Sequence, residues 1–459
     1  MSGKENKEAH VSTIAQLGQE FGQHVIQLTS ELLVKNSGVK SLSEMERGIR
    51  QMLLKLGQFL MGAWLALQGS PYPEERRACP HCGGEATYQF KREATLLTIM
   101  GQVTYRRAYY LCAQCHKGHY PLDDKLGLRP GEMSAEMESL TAMTGVQLPF
   151  GQSSQLFESL TLVSVSDHSV AKAAQAMGSE VQTLEEEWIA QSYDEKWLQE
   201  QERLAERPQR LYGALDAAKA HVRGEKEHPW RDVKVGAWFT TTVAPPQDAD
   251  EGWDIQATDI SYYCDICEAQ QFGKLLWATG CQHHAPWAQE LVFLGDGAEW
   301  IWNLVQEHYP GALQIVDWFH ASEYIAPVAN AAFDDQDQRQ AWIRQVRTDL
   351  WEGDLDAVLA AFASFAAHRQ AGEAATKAVT YFTNNRHLMN YAKYRAQGYQ
   401  IGSGTVESGC KQIVTQRLKV AGAIWDLGNC IKTAKARAAL LSNQWSTLTA
   451  RREHLALAA

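Results

Sequence analysis

Carboxylates that follow short apolar segments are the residues in this sequence best suited to chemistry. Asp296 follows the apolar run 291–294 and one glycine, and Asp317 follows the run 312–316, with a helical pattern between the runs. This order predicts a strand, a helix and a second, parallel strand. In open α/β sheets, ligands bind beyond the carboxyl ends of such strands, where we expect both aspartates. An Asp-Gly turn that caps the following helix would explain Asp296 equally well on its own.

Two further acids extend this arrangement. Asp216 lies in the segment 211–222, which we predict to be the first of three antiparallel strands, with 234–244 and 253–266 as the others. Three such strands followed by alternating helices and strands is the order of an α/β ribonuclease H-like fold. The first and fourth strands of that fold are neighbours, so Asp216 is expected beside Asp296. Glu407 lies in the first turn of a later predicted helix, although pairing with Lys411 and the helix dipole would also account for it.

Three carboxylates brought together favour hard divalent cations, because Mg²⁺ (or Mn²⁺) takes oxygen ligands. Two such ions about 4 Å apart can activate an attacking hydroxyl and stabilise the leaving oxygen of a phosphodiester. The sequence contains no Gly-x-Ser-x-Gly elbow and no phosphate-binding Walker loop. Asp216, Asp296 and Glu407 are therefore the predicted magnesium ligands and catalytic residues.

Four cysteines form two Cys-x-x-Cys pairs, Cys79 with Cys82 and Cys112 with Cys115. Each pair offers two thiolates on one tight turn, and a predicted hairpin around Gly101 joins them, as in a zinc ribbon. The gap of 29 residues exceeds the usual range of about 15 to 20, so the hairpin must be long. A closed four-cysteine site predicts a structural Zn²⁺, with a redox pair as the alternative.

A second group of soft ligands follows the third predicted strand. Its members are Cys264, Cys267, Cys281 and His283. The two halves of the group flank a predicted helix, and this arrangement makes a second zinc site the weaker interpretation.

The remaining elements would position these sites. Apolar residues at helical spacing predict amphipathic helices over 12–34 and 46–67, suited to packing against each other or a second subunit. The segment 151–178 predicts two helices separated by a short turn, with Ser166 or Asp167 capping the second. This order and spacing are typical of a helix-turn-helix. The second helix would present His168, Ser169 and Lys172 outward, and 180–202 is predicted as an acidic linker helix.

The charge of the chain is uneven. Its net charge is −11, yet residues 386–452 hold eleven Lys or Arg against two Asp or Glu. That excess favours a phosphate-facing surface, although a solvated helix face would look the same. The sequence has no leader-like apolar segment and no run suited to spanning a membrane, so we expect a cytoplasmic protein with no membrane partner.

The chain resembles bacterial insertion-sequence transposases of the DDE type, in particular the ISKra group. The resemblance covers most of the chain beyond residue 75 and is carried by LYGALDAAKAHV, LGDGAEWIWNLV, IVDWFHASEYI and IGSGTVESGCKQIVTQRLK. It implies that Asp216, Asp296 and Glu407 form the catalytic triad. It also implies that Asp317 and His320, in the run Asp-Trp-Phe-His, support that triad.

The resemblance implies an enzyme that binds the terminal inverted repeats of a transposon, cleaves DNA and transfers the strand to target DNA as a homo-oligomer. Its expected domains are 1–70 (helical), 71–131 (zinc ribbon), 132–204 (helix-turn-helix and linker helix) and 205–459 (catalytic, with a helical insertion at 321–385). A nuclease or resolvase without strand transfer and a catalytically silent DNA-binding regulator are the alternatives. The residues expected to contact double-stranded DNA are Arg106, Arg107, His168, Ser169, Lys172, Lys411, Arg417 and Lys419.

Overall fold

The computed structural model describes residues 2–35, 41–69, 73–205, 207–224, 229–244 and 254–458. The chain divides into two compact units, Met1–Ala174 together with Ser446–Ala459, and Gln175–Trp445. The boundary therefore lies inside a helix, and the last helix belongs to the first unit. Within the described ranges, no helix is long and apolar enough to cross a membrane.

The first unit begins with two long helices, α1 (Ser2–Lys35) and α2 (Leu42–Gln68). Ser41 caps α2 in a capping box with Glu44, which satisfies backbone N–H groups at the start of the helix. The helical periodicity of the sequence is confirmed, and both helices extend beyond the predicted bounds. Several apolar side chains of α2 stay exposed within one chain, among them Leu53, Leu60 and Trp64.

A four-stranded antiparallel sheet follows, in the order β1 (Arg76–Ala78), β2 (Glu85–Thr98), β3 (Gly101–Cys112) and β4 (Gly118–His119). The hairpin of β2 and β3 turns at Gly101, whose φ of 100° suits glycine. Leu96, Val103 and Tyr105 bury one face of the hairpin together with Leu65 of α2. The long hairpin predicted between the cysteine pairs is confirmed, and the short helix α3 (Pro121–Leu126) comes after it.

Three helices complete the first unit before the boundary: α4 (Ala135–Gln147), α5 (Phe150–Thr161) and the first turns of α6 (Asp167–Ser192). Their common core includes Met137, Phe157 and Val170. Ser166 caps α6 through its side chain, as the sequence indicates, because its Oγ accepts from the Ser169 N–H at 3.1 Å. The helix α6 continues to Ser192, and α7 (Glu195–Leu204) follows. The single linker helix predicted over 180–202 is therefore divided between the second half of α6 and α7.

The second unit is built on a five-stranded mixed sheet. Its strands are β5 (Arg210–His221), β6 (Trp230–Ala244), β7 (Asp254–Asp265), β8 (Glu290–Gly295) and β9 (Leu313–Val316), in the spatial order β7, β6, β5, β8, β9. The first three strands are antiparallel, and β8 runs parallel to both β5 and β9. The predicted meander and the predicted pairing of the first and fourth strands are therefore confirmed. The helices α8 (Ala269–Gln282) and α9 (Glu299–His308) cover the sheet through a core that includes Trp238, Phe272 and Phe293.

The chain after β9 is helical. It forms α10 (Trp318–Glu323), α11 (Ile325–Ala332), α12 (Gln336–Glu352), α13 (Leu355–Ala363), α14 (Gly372–Asn385) and α15 (Tyr391–Ala396). Trp342 packs against Phe333, Phe362 and Phe365, so it contributes to the core of this helical segment. The chain then forms α16 (Gly404–Cys410), a short π-helical segment Lys411–Thr415, α17 (Leu427–Leu441) and α18 (Trp445–Ala458).

Candidate metal centres

The register of the second sheet sets three aspartates at one level, one within β5 and two directly after the last residues of β8 and β9. Ala214 of β5 pairs with Leu294 of β8, so Asp216 and Asp296 lie the same two positions further along their chains. Gly295 of β8 pairs with Val316 of β9, which sets Asp317 level with Asp296. Since neighbouring strands lie about 4.8 Å apart, these residues lie close together at the edge of the sheet formed by the carboxyl-terminal ends of β8 and β9.

Asp216 lies on β5, the central strand of the five. Burial raises the pKa of its carboxyl group, and the negative charge of Asp296 raises it further. The Ala217 N–H donates to Asp216 Oδ1 at 2.7 Å, and the Cys410 side chain from α16 and the positive charge of His320 also favour the ionised form. The net effect is a raised pKa, because the contacts that favour the ionised form do not fully offset burial and the neighbouring negative charge.

Asp317 is the N-cap residue of α10. It is fully buried, its Oδ1 accepts from the His320 backbone N–H at 2.6 Å, and its Oδ2 accepts from the backbone N–H of Ser403. Burial would raise the pKa of Asp317, but the hydrogen bonds from His320 and Ser403 outweigh it and hold the pKa below its ordinary value. Asp317 is therefore ionised and joins β9 to the segment that precedes α16.

His320 lies between two of the acids. Its Nδ1 is 3.3 Å from Asp317 Oδ1 and 3.8 Å from Glu407 Oε1. Both contacts are ion pairs and neither has the geometry of a hydrogen bond. The buried Nδ1 therefore has no hydrogen-bond partner among the described residues. The Asp317 carboxylate, assisted by Glu407 and Glu323, raises the pKa of His320 to about 9 against the effect of burial.

Glu407 reaches this group from α16. Ser403 Oγ donates to Glu407 Oε1 at 2.6 Å, while the backbone of Ser403 binds Asp317, so one residue positions both acids. The Glu407 side chain is 43% exposed. Glu407 is thus more exposed to a ligand from solvent than His320 or Asp317.

The structure groups the candidate residues differently from the sequence interpretation. Ligand atoms of Asp317, His320 and Glu407 lie within 4.8 Å of one another and could hold a metal ion, and Asp216 and Asp296 are not part of that group. The family resemblance implied only a supporting role for Asp317 and His320. Asp216 and Asp296 lie beside this group and interact electrostatically with each other. The role of Ser403 was missed, because nothing in a Gly-Ser-Gly run indicates that its N–H meets an aspartate 86 positions earlier.

The four cysteines of the first sheet form a second candidate metal centre. The Sγ atoms of Cys79 and Cys115 are 3.7 Å apart, those of Cys82 and Cys112 are 3.5 Å apart, and all four lie within 4.8 Å of one another. Tetrahedral Zn–S bonds of about 2.3 Å give S···S separations of about 3.8 Å, so the geometry fits such an ion. The predicted meeting of the two pairs is therefore confirmed.

The thiols of this group affect one another. The backbone N–H of Cys115, assisted by that of Gln114, lowers the pKa of Cys112 to about 6 against some desolvation. The Gly84 N–H favours the Cys82 thiolate, but the adjacent thiols of Cys115 and Cys112 raise the pKa of Cys82 to about 12. The Cys112 thiolate is thus favoured while the Cys82 thiol keeps its proton, and a cation shared by the two sulfurs would allow both to ionise.

The other cysteine and histidine group does not form a site. Cys264, Cys267, Cys281 and His283 are all described, and they do not bring three ligand atoms together. Cys264 is buried in β7, and burial raises the pKa of Cys281 in α8 to about 12. A second zinc at these residues is therefore not supported.

The predicted DNA-contacting residues differ in exposure. Arg106, His168, Lys172, Lys411 and Lys419 are exposed, and Ser169 is half-buried in the cap of α6. Arg417 does not lie on an open surface, where a DNA contact would require it. The residue is 1% exposed, and its guanidinium lies over the Trp425 ring. Arg107 is also largely buried, with its guanidinium paired to Asp123 and stacked on Tyr120.

Part of the positive charge in residues 386–452 is internal. Lys435 is buried, and its Nζ lies 2.5 Å from Glu185 Oε2 and 2.8 Å from Asp265 Oδ2. Arg437 is buried as well, and it donates to the Gln412 carbonyl at 3.2 Å. The cationic surface of this region is accordingly smaller than its composition indicates.

No protein-family profile matches this sequence, and no curated protein is detectably similar to it.

Proposed function

We propose that this protein is a DNA transposase of the DDE type, similar to the ISKra group, with a ribonuclease H-like catalytic core. The observation that carries the proposal is the row of Asp216, Asp296 and Asp317 on three adjacent strands, with Glu407 brought to the same edge by α16. Such a concentration of carboxylates suits the handling of divalent cations and phosphodiesters.

The strand order of the second sheet supports the choice of fold. Three antiparallel strands, then two strands parallel to the first, with the order β7, β6, β5, β8, β9, is the arrangement expected of a ribonuclease H-like core. The site lies at the carboxyl ends of β8 and β9, where open α/β sheets bind their ligands.

The donor atoms fit the proposed metals. Asp216, Asp296 and Glu407 would hold Mg²⁺ or Mn²⁺ through oxygen, with Asp317 and His320 beside them. When bound, the cations would lower the pKa of an attacking hydroxyl group and neutralise charge on the phosphodiester. The sulfurs of Cys79, Cys82, Cys112 and Cys115 fit a structural Zn²⁺.

The chain's own residues prepare this site. Asp317 and Ser403 hold α10 and the approach to α16 together, which fixes Glu407 near the aspartates. His320 keeps a proton at neutral pH and offsets part of the negative charge. Exposed His168 and Lys172 on α6 would contact terminal repeats of double-stranded DNA.

The partners and compartment follow from this activity. Two transposon ends must be held at once, so we propose a dimer or larger homo-oligomer acting on DNA in the cytoplasm. The exposed apolar residues of α2 are compatible with packing between subunits.

The test compares Asp296→Asn with Asp232→Asn, an exposed aspartate of β6 paired with Lys219. With terminal-repeat DNA and Mg²⁺, the wild type and Asp232→Asn should cleave and join strands. Asp296→Asn should lose both reactions, retain DNA binding, and have equal or slightly higher stability, because one clustered negative charge is removed.

Products longer than the donor end indicate strand transfer, and cleavage alone would instead identify a nuclease or resolvase. Cleavage by Asp296→Asn at the wild-type rate would refute the proposed site. If neither the wild type nor Asp296→Asn cleaves DNA, and the variant keeps every biological effect, the chain is a catalytically silent DNA-binding regulator.

A further inference from the structure

The first unit contains a cavity of about 620 Å³ between α2, the β2–β3 hairpin and α3. Its described lining contains no carboxylate. It does contain five cationic side chains, those of Arg77, Lys91, Arg106, Arg107 and Lys125. In a chain with a net charge of −11, this is a marked local reversal of sign, and concave surfaces of one sign concentrate ions of the opposite sign.

The Arg107 side chain has an unused hydrogen-bond donor, which is evidence for a ligand in this cavity. Its side chain is 10% exposed, one Nη atom pairs with Asp123, and its Nε has no hydrogen-bond partner among the described residues. The guanidinium carbon lies 3.6 Å from the centre of the Tyr120 ring, which fixes the plane of the group. A buried guanidinium N–H normally has an acceptor, so an acceptor supplied from the cavity would complete the site.

Two other cations of the lining, Arg106 and Lys125, make only weak contacts with acceptors. Arg106 Nε lies 3.9 Å from Glu93 Oε1, with both side chains about two-thirds exposed. Lys125 Nζ donates to the Gln68 carbonyl at 3.4 Å, a neutral partner. Asp123, which does not line the cavity, already pairs with Arg107 and accepts from Tyr105 Oη at 2.9 Å. The cavity therefore keeps an excess of positive charge.

We propose that this cavity binds phosphate groups, with Arg107 as a fixed anchor and Lys125 as a second cation of the lining. The inference rests on the proposed function in naming the source, a phosphodiester of the bound DNA. A planar guanidinium suits the oxygens of a phosphate, and lysine side chains suit it as point charges. Free phosphate compounds have the same chemistry, so the experiment separates the two sources.

The experiment uses the full-length, zinc-loaded chain without added Mg²⁺. Lys91→Gln and Lys125→Gln each remove one cation of the lining, and Arg107→Lys keeps a cation beside Asp123 but removes Nε. The matched control is Lys117→Gln, an exposed lysine of the same unit that does not line the cavity. Circular dichroism and zinc content establish that each variant is folded.

The first arm measures binding of duplex DNA by fluorescence anisotropy from 0.05 to about 0.5 M salt. Loss of one phosphate contact should lower the slope of log K against log salt by about 0.9 and weaken binding about eightfold at 0.1 M salt. The second arm measures binding of pyrophosphate by calorimetry, where Arg107→Lys should weaken binding most.

A response of the cavity variants in the DNA arm, absent in Lys117→Gln, supports a DNA phosphodiester as the ligand. A response confined to pyrophosphate retains the phosphate site and overturns DNA as its source. Cavity variants that match the control in both arms overturn the inference while the proposed function stands. A wild type that binds no DNA at any salt refutes the proposed function, and the pyrophosphate arm still tests the cavity.

Discussion

Asp317→Asn is the most informative single change in the second unit. Asp317 is fully buried, and its two oxygens accept the backbone N–H groups of His320 and Ser403. Asparagine has nearly the same shape but only one acceptor oxygen. When that oxygen serves the His320 N–H, the new NH₂ group faces the Ser403 N–H, and two donors oppose each other.

The expected loss of stability follows from these contacts. A buried donor left without an acceptor costs about 1–3 kcal/mol, and replacing a charged acceptor at His320 by a neutral one costs about 1 kcal/mol more. We therefore expect the free energy of unfolding to fall by about 2–4 kcal/mol at pH 7. The pKa of His320 should also fall from about 9 toward its ordinary value, because the carboxylate that raises it is gone.

The dependence on pH has two parts. The pKa of Asp317 is lower in the folded chain than in the unfolded one, so its contribution is present above about pH 4 and is lost as the pH falls further. The pKa of His320 is higher in the folded chain, so the ion-pair contribution is complete below about pH 6.5 and is lost as the pH rises through about 9. The difference in the free energy of unfolding between the wild type and Asp317→Asn should accordingly be larger at pH 6 than at pH 10.

The assay is urea unfolding of the full chain, followed by tryptophan fluorescence, with His320 titrated by nuclear magnetic resonance. Asp335→Asn is the matched control, because Asp335 also caps a helix through Oδ1, at 2.9 Å from the Gln338 N–H, but is exposed. Asparagine caps helices about as well as aspartate, so the control should change stability by less than about 0.5 kcal/mol. Equal effects of the two substitutions would refute the account of Asp317 as a buried, doubly bonded acceptor.

Two further predictions concern the metal centre of the first unit and the buried charges of the second. Cys82→Ser should abolish binding of one zinc ion per chain, whereas Cys267→Ser should leave the metal content unchanged; equal zinc contents by mass spectrometry would contradict the four-cysteine site. Lys435→Met should cost about 3–5 kcal/mol in urea unfolding, because Glu185 and Asp265 would lose their buried counter-charge. The double variant Glu185→Leu with Lys435→Met should cost clearly less, and an additive loss would show that the pair is not coupled.

Local patterns in the sequence were sufficient for most of the second sheet. The alternation of apolar residues and the turn residues located β5, β6 and β7, and the apolar runs located β8 and β9. From the order of these elements alone, Asp216 could be expected beside Asp296, since one pairing of parallel strands brings them level. The two cysteine pairs were equally readable, because spacing on a hairpin determines which sulfurs meet.

Contacts between distant segments could not be read in the same way. Asp317 and Ser403 are 86 positions apart and meet only because the intervening helices return the chain to β9. The burial of Arg417 and Lys435 has the same origin, since a periodic pattern does not reveal whether a basic residue will face Trp425, Glu185 or solvent. The order of the elements therefore predicts the strand pairing that sets Asp216 level with Asp296, but not the burial of Arg417 and Lys435.

The charges around the acids connect the fold to the proposed chemistry. Asp216, Asp296, Asp317 and Glu407 bring four carboxyl groups to one edge of the sheet, and His320 contacts two of them. Even with His320 protonated, the group retains negative charge, which is why the proximity of Asp296 raises the pKa of Asp216. Folding tolerates this repulsion because Asp317 and Ser403 fix the backbone around it. The divalent cations proposed for this site would relieve the repulsion that the backbone imposes.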